Sequence, residues 1–434
     1  MLSARFHLLA ATIALALLCA ASAKAQSAQG GDARLLSVDA TGSSRFSSAQ
    51  VAAATGLHTG ESITREVLQA AADRLAHLGP FATVKYRFSS VESGVKVEYQ
   101  VTDASSVPVV FDNFIWFTDA EIADELKKSV ILFDGTAPPN GTLLDEISAA
   151  LERLLDSRGV HSAVSHALVE SPGGSGQVQQ FEANDVDVRI SSVQFPDSLA
   201  SNDPGIRDRL SDLTGKPYSR TAIILFEQEQ VRPVYIAHAY LQVHFEPPKA
   251  TFAANPAKPV PDSVAVLAPI DPGARYIFAG VKWIGNTALP SNQLNMIVAI
   301  KPGEPADGMK ITGAWDNVRE GYSRAGYLDA TVSPQPEFDD KTAHVSYDVT
   351  IVEGPQYRMG NLVLTGLSVE GERRIRAAWA LGPGAVFDET YLANFLSSGV
   401  KQAFGDLPVH YEKIGHFLQK DPKSGKVDVL IDFQ

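Results

Sequence analysis

The sequence predicts an α+β fold, a tandem array of five β-α-α-β-β units, each a three-stranded mixed sheet with two helices on one face. Three observations predict it: helix ends recur at a near-constant spacing, amphipathic patterns precede them, and pairs of alternating strands follow them. The helix ends lie at Gly79, Gly159, Ala239, Gly326 and Gly405, with successive spacings of 80, 80, 87 and 79 residues. Five occurrences at this spacing indicate an internal repeat.

The helix before each of these positions is recognised by its periodicity. In the second unit, Leu144, Ile147, Leu151 and Leu154 recur on one helical face. Glycine is common directly after a helix because the residue there often adopts a positive φ angle. The glycines therefore mark the places where the chain leaves its helices.

Two short alternating runs follow the helix ends, joined by turns rich in Gly, Asp or Ser. Period-two alternation bounded by such turns predicts a β-hairpin. The predicted strand pairs are 84–88 with 95–101, 330–333 with 344–352, and 409–414 with 426–433.

The predicted boundaries are 1–25 for a signal peptide and 33–104, 107–184, 186–273, 275–355 and 357–434 for units one to five. Two units depart from the common pattern. Unit two has a weak third strand at 177–183, and the second helix of unit three is interrupted at Arg232 and Pro233. Unit three also carries a proline-rich insertion at 246–262, which we expect to form an extended surface loop.

The N-terminus has the pattern of an export signal. Arg5 precedes an apolar run, and Ala23-Lys24-Ala25 forms a small-residue cleavage site. The run is shorter than the roughly 20 residues that span a bilayer, so we expect a cleaved signal and an exported protein, with a retained anchor as the alternative. The single cysteine, Cys19, lies inside this segment, which predicts an exported chain without disulfides.

The composition excludes several function classes. The formal net charge of −13 argues against nucleic acid and against direct binding to an anionic membrane surface. The histidines have no metal-ligand spacing, and no phosphate loop, dinucleotide fingerprint or nucleophile motif is present. The sequence therefore predicts a non-enzymatic protein without a cofactor, a metal or a catalytic residue.

Several short motifs occur in the same order in more than one unit. The best copies are Gly285-Asn286 after a first strand, Pro302-Gly303-Glu304 between helices, Gly326-Tyr327 before a second strand, and Glu353-Gly354-Pro355 after a third. Together they resemble the POTRA domain, which forms the periplasmic arm of outer-membrane protein assembly and translocation factors. The resemblance covers about 35–434 of the sequence.

The resemblance implies a function in outer-membrane protein assembly or insertion, and a location in the periplasm in association with the outer membrane. The implied partners are unfolded outer-membrane proteins, a separately encoded outer-membrane barrel or a lipoprotein, with the membrane contacted only indirectly. Relatives usually continue into a membrane barrel, but no series of alternating segments of about ten residues follows here, so we expect an arm without a barrel. The alternatives are a spacer in an envelope secretion or division complex, a remnant of a barrel-containing factor, or an enzyme with an unrecognised site.

The predicted topology leaves one strand of each unit at an edge. If the third strand pairs with the first in parallel and with the second through the hairpin, the sheet order is first, third, second. The second strand can then accept a strand from another chain, which is called β-augmentation. The predicted binding residues on these edges are Val84, Tyr86, Phe88, Val164, His166, Leu168, Val409 and Tyr411.

The edges are not expected to be equivalent. Pro334 and Pro336 lie two residues apart in the second strand of unit four, where both remove N–H donors from the same side. We therefore expect unit four to be a poor augmentation site, and unit two to be the strongest.

Overall fold

The computed structural model describes residues 33–174, 176–407 and 411–434. The signal peptide predicted at 1–25 lies outside these residues. Within the described ranges, no helix has both the length and the apolar character needed to cross a bilayer.

The segments predicted from the sequence as units one to five keep these labels below, and those of units one and two each contain four strands and two helices. Unit one comprises β1 (Ala33–Thr41), α1 (Ser48–Ala54), β2 (Ser62–Ile63), α2 (Arg65–Leu78), β3 (Phe81–Val91) and β4 (Gly94–Asp103). Unit two comprises β5 (Val107–Phe111), α3 (Asp119–Ser129), β6 (Thr136–Ala137), α4 (Leu143–Asp156), β7 (Val164–Glu170) and β8 (Gln177–Ala183).

Unit three is the least regular part of the fold. It comprises β9 (Arg189–Gln194), α5 (Ser198–Asn202), α6 (Pro204–Leu210), α7 (Arg220–Phe226), a π-helical turn (Glu227–Val231), α8 (Arg232–Ala237), β10 (His244–Phe245), β11 (Lys249–Thr251), β12 (Ser263–Leu267) and β13 (Ile270–Asp271). The short strands β10 and β13 pair with each other.

Units four and five return to the common pattern. Unit four comprises β14 (Ile277–Ile284), α9 (Ser291–Val298), α10 (Gly308–Arg324), β15 (Thr331–Asp339) and β16 (His344–Val352). Unit five comprises β17 (Arg358–Thr365), α11 (Val369–Ala378), α12 (Glu389–Asn394), a π-helical turn (Phe395–Gly399), α13 (Val400–Phe404), β18 (Ile414–Asp421) and β19 (Lys426–Phe433).

Among the described residues, the main strands of five sheets share one order. The third strand lies between a parallel first strand and an antiparallel second strand, as in β14-β16-β15 and β17-β19-β18. The predicted combination of several sheets and helices is confirmed. The second strand is at an edge in each of these sheets, as the connectivity requires.

The core of unit four shows how the third strand is held. Val345, Val349 and Ile351 of β16 alternate with more exposed neighbours and are at most 3% exposed. They belong to the same buried cluster as Val318 and Tyr322 of α10. Strand alternation and helical periodicity therefore meet in one apolar layer, as expected when a sheet is covered by helices on one face.

A glycine follows the first strand where that strand leaves the sheet. Gly42, Gly285 and Gly366 occupy this position in units one, four and five, with φ angles of +97°, +84° and +78°. A Cβ at Gly285 would lie 2.4 Å from the carbonyl oxygen of Ile351 in the third strand. Positive φ and this close approach together require glycine.

Unit three corrects two expectations. The segment 246–262 is not only a loop, because β11 lies inside it and forms the second strand of the sheet. The second helix is not broken at Pro233, because α7 continues through the π-helical turn into α8. Proline lacks an N–H group and its ring displaces the carbonyl four residues earlier, and the wider π turn accommodates both effects.

Unit five corrects a third expectation. The strand predicted at 409–414 begins instead at Ile414, and residues 408–410 lie outside the described part of the chain. The third strand, Lys426–Phe433, is found as predicted.

We predict that Gly285→Ala lowers the stability of unit four by about 2 kcal/mol, because it combines a positive φ angle with a backbone clash. Hydrogen–deuterium exchange of peptides from β14 and β16 measures the local opening. Gly313→Ala in α10 is the matched control, since no atom lies within 4 Å of the added Cβ. Equal exchange in the two variants would contradict the conclusion that position 285 requires glycine.

Candidate functional site

The edge strand β3 is the longest of the second strands and is largely exposed. It spans 11 residues, and Phe88 and Val91 near its end are 51% and 45% exposed. It is an outer strand of its sheet, paired on one side to β4. This edge therefore offers a long row of backbone groups to another chain.

The hairpin register shows which groups of β3 face outward. Val91 pairs with Gly94 across a two-residue turn, and such a closing pair is hydrogen-bonded in both directions. Counting back in alternation, the N–H and C=O groups of Val84, Tyr86 and Phe88 point away from β4. These are the three residues that the sequence predicts for the edge of unit one.

The edge of unit two is partly occupied by its own chain. The N–H of Val164 donates to Oε1 of Glu152 at 2.9 Å. Because N–H groups alternate along a strand, those of His166 and Leu168 point to the same side as that of Val164. The His166 ring packs against Phe181. The carboxylate of Glu152 competes with an incoming strand at the start of this edge.

The edge of unit four is altered by its prolines. β15 pairs with β16 over nine residues without a register shift, and Pro334 and Pro336 oppose Val349 and Tyr347. An uninterrupted ladder requires that the missing N–H groups belong to the outer side of the strand. This edge therefore offers acceptors but lacks two donors.

The edge of unit five lies further along the chain than the sequence predicts. Val409 is outside the described residues, and Tyr411 precedes β18, where its ring packs against Phe404 and Phe433. The actual edge includes Phe417, which is 62% exposed. Two signals in the sequence could have located β18: the turn "DPKSG" lies at its end, and its partner strand β19 is predicted correctly.

Contacts between successive units repeat along the second half of the chain. The N–H of Tyr276 donates to the carbonyl of Ala239 at 2.9 Å, and the N–H of Tyr357 donates to that of Gly326 at 2.7 Å. The Tyr357 hydroxyl also donates to Asp329 at 2.6 Å. The helix end that defines the repeat is thus bonded to the first residues of the next unit.

Units two and three are joined by a buried carboxylate. Asp112 follows β5 and is 2% exposed. It accepts hydrogen bonds from the N–H of Thr221 at 2.6 Å and from the hydroxyl of Ser219 at 3.2 Å. It therefore satisfies a free N–H group at the start of α7, as a helix-capping residue does.

A cavity of about 370 Å³ lies beside this contact. Glu227, in the π-helical turn, lines it and is 1% exposed. Neither carboxyl oxygen of Glu227 has a hydrogen-bond partner among the described residues. Burial alone raises the pKa of Glu227 to about 8, because an unpaired carboxylate is poorly solvated there.

The described residues contain no group of three or more His, Cys, Asp or Glu side chains arranged to hold a metal ion.

A family model described as POTRA, surface antigen variable number repeat, matches residues 276–354. Residues 276–354 form a POTRA domain. The resemblance predicted from the motifs is therefore confirmed. The matched POTRA domain corresponds to unit four, which contains the best copies of those motifs.

Several solved structures are similar to this chain. POTRA domains 3–5 of BamA from Haemophilus influenzae are 15% identical, with a TM-score of 0.41, over 57% of this chain and 96% of that one. BamA from Haemophilus ducreyi lacking POTRA domains 1–3 is 17% identical, with a TM-score of 0.32, over 37% and 29%. The N-terminal domain of Omp85 from Thermosynechococcus elongatus is 15% identical, with a TM-score of 0.24, over 58% and 98%. Because these TM-scores are low, the assignment rests on the family model.

Glu353 links the end of the third strand of the POTRA domain to the turn after its first strand. This residue follows the third strand and accepts hydrogen bonds from the N–H groups of Thr287 at 2.6 Å and Ala288 at 2.7 Å. The Tyr322 hydroxyl donates to it at 3.1 Å. Burial opposes ionisation, but these hydrogen bonds outweigh it and lower the pKa of Glu353. The Glu-Gly-Pro motif of the POTRA domain therefore has a structural role at the turn after β14.

Outside the matched POTRA domain, the buried Glu227 makes stability depend on pH. Its folded pKa is raised, so the folded protein binds more protons than the unfolded chain between about pH 4.5 and 8. The contribution of Glu227 to the free energy of unfolding therefore decreases as pH rises through this window and changes little above it.

We predict that Glu227→Gln removes this pH dependence. The stability of the variant relative to the parent should increase steadily from pH 5 to pH 8. At pH 8 the difference in unfolding free energy should be on the order of a few kcal/mol. Calorimetry at a series of pH values measures it. Glu229→Gln, a change at an exposed position in the same turn, is the control and should show no such trend. A difference that is constant with pH would contradict the prediction.

Proposed function

We propose that this chain is a non-catalytic periplasmic protein of tandem POTRA-like units that takes part in outer-membrane protein assembly. In this proposal all five sheets, each with its helices, are units of one array with the boundaries predicted from the sequence. The POTRA match in unit four and the strand order common to the five sheets support it. The N-terminal signal pattern supports export to the periplasm.

The mechanism we propose is β-augmentation of client strands at the free edges. The observation that carries it is β3, whose outward backbone groups at Val84, Tyr86 and Phe88 lie on an exposed edge. Backbone hydrogen bonds do not depend on side-chain identity, so one edge serves many unfolded sequences. Unfolded outer-membrane proteins are the proposed clients, because they are strand-forming chains that have not yet closed their sheets. A separate outer-membrane barrel or a lipoprotein is the proposed docking partner.

The edges differ in what they offer. β11 has only three residues, β15 lacks two donors, and Glu152 occupies the start of β7. β3 has 11 residues and β18 has eight, and neither carries a proline. We therefore place the main client contacts on units one and five, with His166 and Leu168 of unit two as a secondary edge.

A spacer without client binding is the second candidate. The hydrogen bonds from Tyr276 to Ala239 and from Tyr357 to Gly326 favour it, because they fasten each unit to the next. Tests of client binding separate the two candidates.

We predict that photocrosslinking distinguishes the edges. Phe88, Phe417 and Phe338 lie in β3, β18 and β15, and each is at least 36% exposed. Each is replaced in turn by p-benzoylphenylalanine in the full chain, which is then mixed with a urea-unfolded outer-membrane barrel protein and irradiated. Adducts should form several-fold more at 88 and 417 than at 338, because β15 lacks two outward donors whereas β3 and β18 contain no proline. Equal yields at all three positions, or the highest yield at 338, would count against edge pairing.

We also predict that two prolines placed two residues apart in β3, as Pro334 and Pro336 are in β15, inactivate the edge of unit one. Phe88→Pro combined with Ser90→Pro removes two outward N–H groups from β3 while leaving the inward ladder intact. The double variant should suppress aggregation of the unfolded barrel protein less than the parent does, as measured by light scattering. Phe88→Ser, which keeps the N–H group, is the matched control. If the parent itself does not slow aggregation, the spacer candidate is favoured.

A further inference from the structure

The cavity beside the contact between units two and three is built from both of them. β5 contributes Val110 and Phe111, α7 contributes Ile224, and the segment after β10 contributes Pro247. Its volume of about 370 Å³ lies within the range of small-molecule sites in proteins. Its walls are mainly apolar, so a ligand that fills it has an apolar body.

Two residues that line the cavity carry buried polar atoms without a hydrogen-bond partner in the described chain. These atoms are the carboxyl oxygens of Glu227 and the Nε of Arg220. Buried polar groups are nearly always hydrogen-bonded, because an unmade bond costs about 1–3 kcal/mol. A cavity with unsatisfied groups on its wall is therefore a candidate for a ligand that supplies the missing bonds.

The remaining charges around the cavity are largely compensated. The Arg232 Nε donates to Gln228 at 2.6 Å, and its guanidinium lies 5.4 Å from the centre of the Phe245 ring. Arg220 forms an ion pair with Asp119. The titratable or charged groups on the cavity wall besides Glu227 are Asp119, Arg220, Arg232, His244 and Glu246. No single charge dominates the cavity.

We propose that this cavity binds a small neutral molecule with an apolar body and a carboxamide head, with Glu227 turned toward the head group. A protonated carboxyl group both donates and accepts a hydrogen bond, and a carboxamide offers the complementary acceptor and donor. The Nε of Arg220 is a further donor for the carboxamide oxygen.

Charged ligands fit less well. A cation requires an ionised Glu227 inside an apolar wall and lies near two guanidinium groups. An anion would lie beside Glu227 and Asp119. Because Arg220 is ion-paired with Asp119 and Arg232 donates to Gln228, only the Nε of Arg220 is left, among the described residues, as a buried guanidinium donor to bind it. The proposed site is separate from the edge strands and does not depend on the function proposed for them.

The test uses three probes of similar shape: phenylacetamide, phenylacetate and phenethylamine. Saturation-transfer NMR measures binding of each probe to the full chain at pH 6. Phenylacetamide should bind, and the other two should bind more weakly. Glu227→Leu, which removes both hydrogen-bonding functions, should weaken phenylacetamide binding about tenfold, whereas Glu227→Gln, which keeps a donor and an acceptor, should retain most of it. Glu229→Gln should bind like the parent.

A second measurement follows the protonation of Glu227 in the parent protein, without a mutation in the cavity. With 13C-labelled glutamate, the titration of Glu227 is followed with and without each probe, and Glu227→Gln assigns the signal. Phenylacetamide should raise the pKa of Glu227, because it binds the protonated form. The proposal is overturned if no probe binds, if phenethylamine binds most tightly and lowers that pKa, or if Glu227→Leu binds phenylacetamide as well as the parent.

Discussion

The parallel pairing of the first strand with the third is the constraint on which the rest of the structure depends. Once a third strand such as β16 lies between two neighbours, its alternate residues are buried and its hydrogen-bonding capacity is used on both sides. The second strand must then occupy an edge. The glycine at the exit of the first strand, such as Gly285, follows from the same packing, because its Cα lies close to the carbonyl of the third strand.

The contacts between units impose a second, weaker constraint. From unit three to unit four and from unit four to unit five, the helix end is bonded to the next unit through the backbone, and the Tyr357 hydroxyl adds a side-chain bond to Asp329. Between units two and three the bond is made by the Asp112 side chain, and Glu227 is buried nearby without a partner in the described chain. Among the described residues, the segment with the least regular pattern of strands and helices also holds Glu227, whose two carboxyl oxygens both lack a partner.

The candidate edge strand of unit one was located from the sequence, since the predicted segment 84–88 lies within β3. The two-residue turn seen in the structure then sets the register that directs the backbone groups of Val84, Tyr86 and Phe88 outward. In unit five the predicted strand was placed too early, because "VHYEKI" alternates as well as the true strand does. Its tyrosine packs instead against Phe404 and Phe433. Local alternation alone does not distinguish an edge-strand residue from one such as Tyr411, whose ring packs on the core before the strand begins.

The sequence by itself indicated the recurring helix ends, the third strands of units one, two, four and five, and the first-third-second order of strands in the sheets. These features depend on the periodicity of apolar residues and on the order of elements along the chain, and both can be read from the sequence. Only the tertiary structure decided that β11 lies within the proline-rich segment, that Pro233 is accommodated by a π turn, and that Glu152 caps Val164. Those outcomes depend on which distant groups come within hydrogen-bonding distance, and no local pattern in the chain encodes that distance.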